Sequence, residues 1–483
     1  MTKFFLTMLL AAFLVSCDLL LDLIEQEQAL KADEFYAIDF TKDNFYKVKA
    51  EMLAEGRKCF IWAEKGSGIT KRKAEEFAAK YDNVIRPKIV GAFGMKDVKD
   101  EAAQYHFDDI LDYANWLAGK EIPNPDPKLT ILLLDIKDSF KDPKKDSYVA
   151  GYFYSGNFYP ENYGSNARDM IYVDTYPGLK MVEEQTYATF AHELQHLINF
   201  ATTTLKRKGP NNTLIPMDTW IDEGLSSQAE HIYLGKNIED HINRFSKDEY
   251  GTIAQGNNFF VWGNHTDKPM AILDEYSTVY LFFRWLYLQA ADKGLQSNIF
   301  LDIATSDLSD HNIITNAAKK IRPEWADWNV LLRSWLAANY YPANSDYGYK
   351  DSYFQEKIKV RPITPTSIKL YPGEGVYSSI KNPFRTPQVT GTNIRYAGLP
   401  GSSSSIVTQG PFNSGVLLTY NANTNNSKST ASETGYLTGV SASVSSDSRI
   451  RMAIEDAQTE THTGPYVIDA RDYGYAGILG RDK

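Results

Sequence analysis

The sequence predicts a mixed α+β domain over residues 32–350, followed by an all-β sandwich over residues 362–483. Three observations carry this. Across residues 35–343, strand-like apolar runs alternate with segments of helical periodicity. Within that span three helical segments follow one another, at about 182–203, 219–234 and 275–291. Beyond Pro362 the composition shifts to Pro, Gly, Ser, Thr and Asn, with short alternating runs such as VLLTY at 416–420.

The N-terminus carries a targeting pattern. Lys3 supplies a positive charge, and residues 4–15 form an apolar run of about a dozen residues, too short to span a membrane. The run ends in LVSC at 14–17, which resembles the lipobox of bacterial lipoproteins. The resemblance implies a signal peptide over 1–16 and lipidation of Cys17. It places the mature chain in the bacterial cell envelope, lipid-anchored, at the outer membrane or cell surface rather than the inner membrane. Residues 18–31 are acidic and amphipathic and read as a spacer from that anchor. With Cys17 lipidated, Cys59 has no partner, so the fold does not rely on disulfides. Cys59 lies in KCFIW at 58–62, an apolar run that reads as a buried strand.

The other elements follow in order. Residues 77–80 and their neighbours read as helix, LTILLL at 129–134 as a buried strand, and 148–158 as a strand or hairpin. MIYV at 170–173 is a further strand, closed by the turn signal Tyr176-Pro177-Gly178. Residues 401–405 and 421–432 read as loops. The 31 tyrosines fall largely in alternating stretches, which favours β structure. The formal net charge is −10 with no basic run to offset it, which excludes a nucleic-acid partner.

The residues that carry chemistry are His192-Glu193-Leu194-Gln195-His196, an HExxH motif. Two imidazoles four residues apart on a helix differ by about 40° and one turn, so both reach one ion. Glu193 beside them can accept a proton from water at the metal. Zinc takes neutral nitrogen donors, a further protein ligand and an open position. Such a motif is expected by chance about 0.01 times in a chain of this composition. Phe190, Leu194, Leu197, Ile198 and Ala201 form an apolar stripe, which puts His192 and His196 on the opposite side, facing a cleft. An amphipathic helix that merely carries two polar-face histidines is the plainer alternative.

The third ligand lies outside the motif. The positions that a metzincin fills with Gly and His hold Asn199 and Thr202, which excludes that class. WIDEGL at 220–225 resembles the Trp-x-x-Glu-Gly segment of gluzincins such as the aminopeptidase N type, and the resemblance gives the ligand role to Glu223. Glu230, seven residues on and on the same helical face, is the rival. The polar stretch 206–212 reads as an inserted loop between the two motifs. The helix around Tyr276 resembles the one that follows the glutamate helix in gluzincins, so Tyr276, or else Tyr280, would donate to the oxyanion. His231 and His265 are other possible donors, and Asp222 can orient a histidine.

Together these segments resemble the hyicolysin-like family of bacterial neutral metallopeptidases. The match runs from FAAKYD at 77–82 and GAFG at 91–94 through GYFYSG at 151–156 and IYVDTYP at 171–177 to HELQH, WIDEGL and the Tyr276 helix. The resemblance implies a zincin fold, a zinc ion and endopeptidase action on proteins or peptides. The Gly-x-Met-Glu-Asn segment with which aminopeptidases grip the substrate amine is missing; Gly94-Met95-Lys96-Asp97 puts a lysine where an acid is needed. An endopeptidase is therefore expected, with strand 170–173 as the edge to which an extended substrate adds. The competing class is a surface-binding lipoprotein, an adhesin or structural module with an inactive metal site. A third possibility gives the peptidase a C-terminal domain that docks on a host or envelope partner.

Overall fold

The computed structural model describes residues 34–42, 44–94, 128–138, 140, 148–158, 164–204, 207, 209, 215–249, 251–256, 259–262, 272–363, 370–380, 384–385, 394–401, 405–412 and 414–424. The signal peptide, Cys17, the spacer, Lys96, His265 and residues 425–483 lie outside the described residues.

The first half is a six-stranded sheet, in the order β1 (Glu34–Asp39), β2 (Asn44–Glu55), β3 (Cys59–Glu64), β4 (Leu129–Leu134), β6 (Met170–Asp174) and β5 (Gly151–Phe153). Strands β3, β4 and β6 are mutually parallel, and the other pairs are antiparallel. The chain between β3 and β4 includes α1 (Lys71–Lys80), which runs through a wide turn at Tyr81–Ile85 into α2 (Arg86–Phe93). Thr70 starts α1 by accepting from the Lys73 N–H at 3.2 Å.

The sheet curls. Tyr152 on β5 accepts the Ile38 N–H of β1 through its hydroxyl at 3.0 Å, although the two strands are opposite ends of the sheet. Asn166 holds β1 further, accepting from Tyr36 N at 2.8 Å and donating to Tyr36 O at 2.9 Å. Phe35, Trp62, Leu132, Tyr152 and Tyr172 fill the inside of the curl. Ile61, Ile131, Leu133, Ile171 and Val173 face the helices on the other side. Both faces are thus covered, and β4 is buried at all of its positions, as a strand packed on two sides must be.

One expectation is corrected here. The run 170–173 is an interior strand, lying between β4 and β5, and the edge is the short β5. An unbroken buried run marks a strand covered on both faces, as β6 is at every residue, and leaves its place in the sheet to strand pairing. Of the expected strand or hairpin at 148–158 only β5 is strand, followed by a tight helical turn at Ser155–Phe158.

On the outer face α1 packs on β2 and β3, and α3 (Glu183–Asn199, extended by a wide turn at Phe200–Thr204) packs on β5 and β6. The helices that follow are α4 (Thr219–Leu234), α5 (Glu239–Lys247), α6 (Thr252–Gly256), α7 (Ile272–Ala291), α8 (Gln296–Ala304), α9 (Asn312–Ala318), α10 (Trp328–Tyr340) and α11 (Ser352–Lys357). The later strands form a three-stranded antiparallel sheet, β7 (Gly375–Ile380), β11 (Gly415–Asn421) and β9 (Ile394–Pro400) in that order, with β8 (Phe384–Arg385) paired to β10 (Pro411–Phe412). Tyr377, Leu399, Leu418 and Tyr420 of the larger sheet belong to the same apolar core as the helices. Tyr377 donates to Leu336 O at 2.8 Å and Tyr341 to Pro400 O at 2.5 Å, which ties that sheet to α10. The described part of the segment after Pro362 is therefore β-rich, and it shares its core with the domain before it.

Candidate metal centre

Helix α3 begins with Glu183 and Glu184, charges suited to a helix N-terminus. Its apolar stripe packs into the core, with Phe190, Leu194, Leu197, Ile198 and Ala201 all buried. The opposite side does not open freely to a cleft as its polarity suggested. From Thr186 to Asn199 every residue is buried, His192 and His196 at 1% exposure each, because α4 packs across that face.

The local sequence explains how α4 approaches so closely. Trp220 sits in an aromatic cluster with Phe259, Phe260, Phe282, Phe283 and Trp328. At Gly224 an added Cβ would lie 2.2 Å from the Phe283 ring, so only glycine lets α7 and α4 meet there. Between these two anchors, Glu223 is directed at the histidines.

His192, His196 and Glu223 each offer one ligand atom, and these atoms lie within 4.8 Å of one another. Glu223 Oε2 is 3.2 Å from His192 Nε2 and 3.6 Å from His196 Nε2. Two ligands of a tetrahedral zinc with bonds near 2.0–2.1 Å stand about 3.3 Å apart, so the spacing fits that ion. The far nitrogens are occupied. His192 Nδ1 donates to Glu230 Oε1 at 2.5 Å, and His196 Nδ1 to Asp222 Oδ2 at 3.0 Å with Ser226 Oγ at 3.1 Å. A carboxylate only accepts, so each Nδ1 carries a hydrogen, and in the neutral imidazole the lone pair then lies on Nε2, toward the cluster. His192 Nε2 and Glu223 Oε2 are buried and without a hydrogen bond. Atoms of that kind converging at 3.2 Å favour a positive charge there, and the three residues could hold a metal ion.

The electrostatics agree. Burial lowers the basicity of His192, but Glu223 and Glu230 outweigh it and raise the imidazole to about 9. Burial is likewise outweighed at His196 by Asp222 and Glu223, which raise it to about 10. Glu223, despite burial, is held down to about 2 by His196 and His192. The pocket therefore binds positive charge strongly, as protons or as a cation. Glu193 is the exception: burial pushes it up to about 7 against the pull of His192 and His196. Its Oε2 accepts the Phe153 N–H of edge strand β5 at 2.8 Å, while Oε1 is buried and without a hydrogen bond.

The other expected residues are placed as follows. Tyr276, half-buried on α7, donates to Glu223 Oε1 at 3.2 Å. Tyr280 stands away from the cluster, its hydroxyl accepting from Ile238 N at 3.1 Å and meeting His231 Nδ1 at 3.2 Å. That removes both Tyr280 and His231 as oxyanion donors. Glu230 is beside the far nitrogen of His192 rather than at the ligand position. Asp222 does contact a histidine, and its other oxygen accepts from Asn199 Nδ2 at 2.5 Å.

Cys59 is a fully buried strand residue. Sequence reasoning missed the Phe153 N–H, a backbone group with no side-chain signature, and it missed Arg207. Expected in a solvated loop, Arg207 is buried, donates to Ile215 O at 3.1 Å and lies in the field of Asp222, Asp307 and Asp218. Burial nonetheless lowers it to about 10. A run of Lys and Arg reads as surface, and only long-range carboxylates turn one of its members inward.

No family model matches the chain. The chain is similar to the neutral metalloprotease ShpI of Staphylococcus hyicus, 24% identical over 368 residues that make up 75% of each protein. The similarity to a metalloprotease and the buried His–His–Glu cluster point to a metal-dependent peptidase.

Proposed function

We propose that this chain is an exported, lipid-anchored zinc metalloendopeptidase of the gluzincin type, with His192, His196 and Glu223 as metal ligands. The observation that carries this reading is the convergence of three buried ligand atoms, with a carboxylate, Glu193, next to them. A bound zinc ion supplies Lewis-acid polarisation of the scissile carbonyl and lowers the pKa of the attacking water.

The protein supplies the remainder. Glu193 takes the proton of the attacking water on its unbonded oxygen and passes it to the leaving amine. Phe153 N–H fixes the other Glu193 oxygen, so the base is held in one orientation. Tyr276 provides a hydroxyl at the rim of the cluster for the developing oxyanion. Glu230 and Asp222 hold the two imidazoles in the tautomer that ligation needs.

The substrate is a protein or peptide in extended form, lying along β5. Asp174 N–H donates to Ala150 O, so in an antiparallel ladder the outward groups are those of Gly151 and Phe153. Gly151 is the residue available to pair with such a chain. The part of the chain after Pro362 is proposed to bind a host or envelope partner.

The deciding experiment compares the soluble form from residue 18 with its Glu193→Gln variant for zinc content and casein cleavage. One zinc in both with cleavage only by the unaltered protein is expected. A folded protein with neither zinc nor cleavage would overturn the reading in favour of a binding lipoprotein. For the anchor, Cys17→Ser should move the full chain from the membrane fraction to the soluble one; unchanged membrane association would refute lipidation at Cys17.

A further inference from the structure

Trp262 belongs to no motif, yet contacts lead from it to the metal centre. The short segment 259–262 is anchored by Phe259 and Phe260, both buried, with rings 5.4 and 5.3 Å from that of Trp220. Trp220 stands one turn before Glu223 on α4. Two residues beyond Phe260, half-buried Trp262 packs edge-to-face on Tyr276, with ring centroids 5.0 Å apart and planes at 83°. Tyr276 in turn donates to Glu223 Oε1 at 3.2 Å. The path runs from Trp220 to Phe260 by ring contact, along the backbone to Trp262, then by ring contact to Tyr276 and by hydrogen bond to Glu223, one turn from Trp220 on α4. Rings anchored in a packed core restrict the phenol that packs on them.

We propose that Trp262 is a positioning residue for the reaction, holding the Tyr276 hydroxyl at the metal-facing rim where the oxyanion develops. The inference rests on the metallopeptidase reading above. Tyr276 is attached to α7 by two rotatable bonds, and its ring is half-buried. Without the indole edge the phenol loses a surface that fixes its direction toward Glu223. Its donor is then lost at the moment of reaction, although the ligands and the base stay in place.

The test uses the zinc-loaded mature chain and a fluorogenic peptide, with Tyr276→Phe, Trp262→Ala, Trp262→Leu, Trp262→Phe and the double variant Trp262→Leu/Tyr276→Phe. Loss of the phenol should lower kcat about 10²- to 10³-fold. Trp262→Leu should lower kcat about 10-fold or more by misplacing the phenol, with KM and zinc stoichiometry unchanged. Trp262→Phe should recover most of that loss. The double variant should be no slower than Tyr276→Phe alone, because the indole acts through the phenol.

Leucine keeps apolar bulk without a ring, so a purely structural role would leave Trp262→Leu at full kcat. Either that result or multiplicative effects in the double variant would overturn the proposal. If Trp262→Ala fails to fold, the Leu and Phe variants decide. If the unaltered chain shows neither zinc nor cleavage, the function reading has failed and the positioning role falls with it.

Discussion

The two sides of the metal cluster are built on opposite principles. Behind the imidazoles the polar contacts are made: Nδ1 of His192 to Glu230, Nδ1 of His196 to Asp222 and Ser226, and Asp222 to Asn199. On the side toward β5 and the ligand point, Glu193 Oε1, His192 Nε2 and Glu223 Oε2 are buried with no hydrogen bond. Unpaired buried polar atoms cost stability. These three stand where an ion and a water would be received. On the proposed function, the paired side would orient the ligands and the unpaired side would receive the ion and the water. A protein that wanted only stability would satisfy both.

The comparison can be broken most severely at Glu193. Glu193→Gln should lower kcat about 10²- to 10⁴-fold while zinc content stays at that of the unaltered chain. A variant that lost zinc would show that Glu193 belongs to the paired, ligand-orienting side. Next in size is Glu230→Gln, which removes the charged partner of His192. Zinc affinity should fall about 10- to 100-fold, read by competition with a chelating dye, and the fully loaded variant should retain most of its kcat. An unchanged zinc affinity would mean that the two sides are not divided as described.

The smallest effect is expected at the joint that brings α4 into place. Gly224→Ala puts a methyl group against the Phe283 ring, where overpacking costs about 1–3 kcal/mol, read as a lowered Tm in the presence of excess zinc. If Tm is unchanged, the close approach of α7 does not set the position of Glu223.

Legibility differed sharply between these parts. HELQH was readable because its content is local, four residues of helix bringing two imidazoles to one side, whereas WIDEGL was readable through its resemblance to the gluzincin segment. The seven-residue spacing of Glu230 correctly put it on the same face of α4. It did not reveal that this face meets His192 from behind, at Nδ1. Tyr276 and Tyr280, one turn apart on α7, were indistinguishable in sequence. Packing directs the first to Glu223 and the second to Ile238 and His231. Strand positions were readable too, with β4 and β6 found nearly to the residue, but their neighbours were not. An apolar run of five residues specifies burial, whereas its place within the sheet depends on pairing with segments many residues away.

Taken alone, then, the sequence determined the helices that carry the cluster, strands β4 and β6, and the spacing that lets two histidines serve one ion. These follow from backbone periodicity and side-chain chemistry, which act over a few residues. Tertiary structure alone decided which strand is the edge, that α4 seals the histidine face, that Arg207 is turned inward, and that Trp262 reaches Tyr276. Each of these depends on surfaces meeting across long loops. Shape complementarity and the pairing of buried charge decide them, and neither is written in any one stretch of chain.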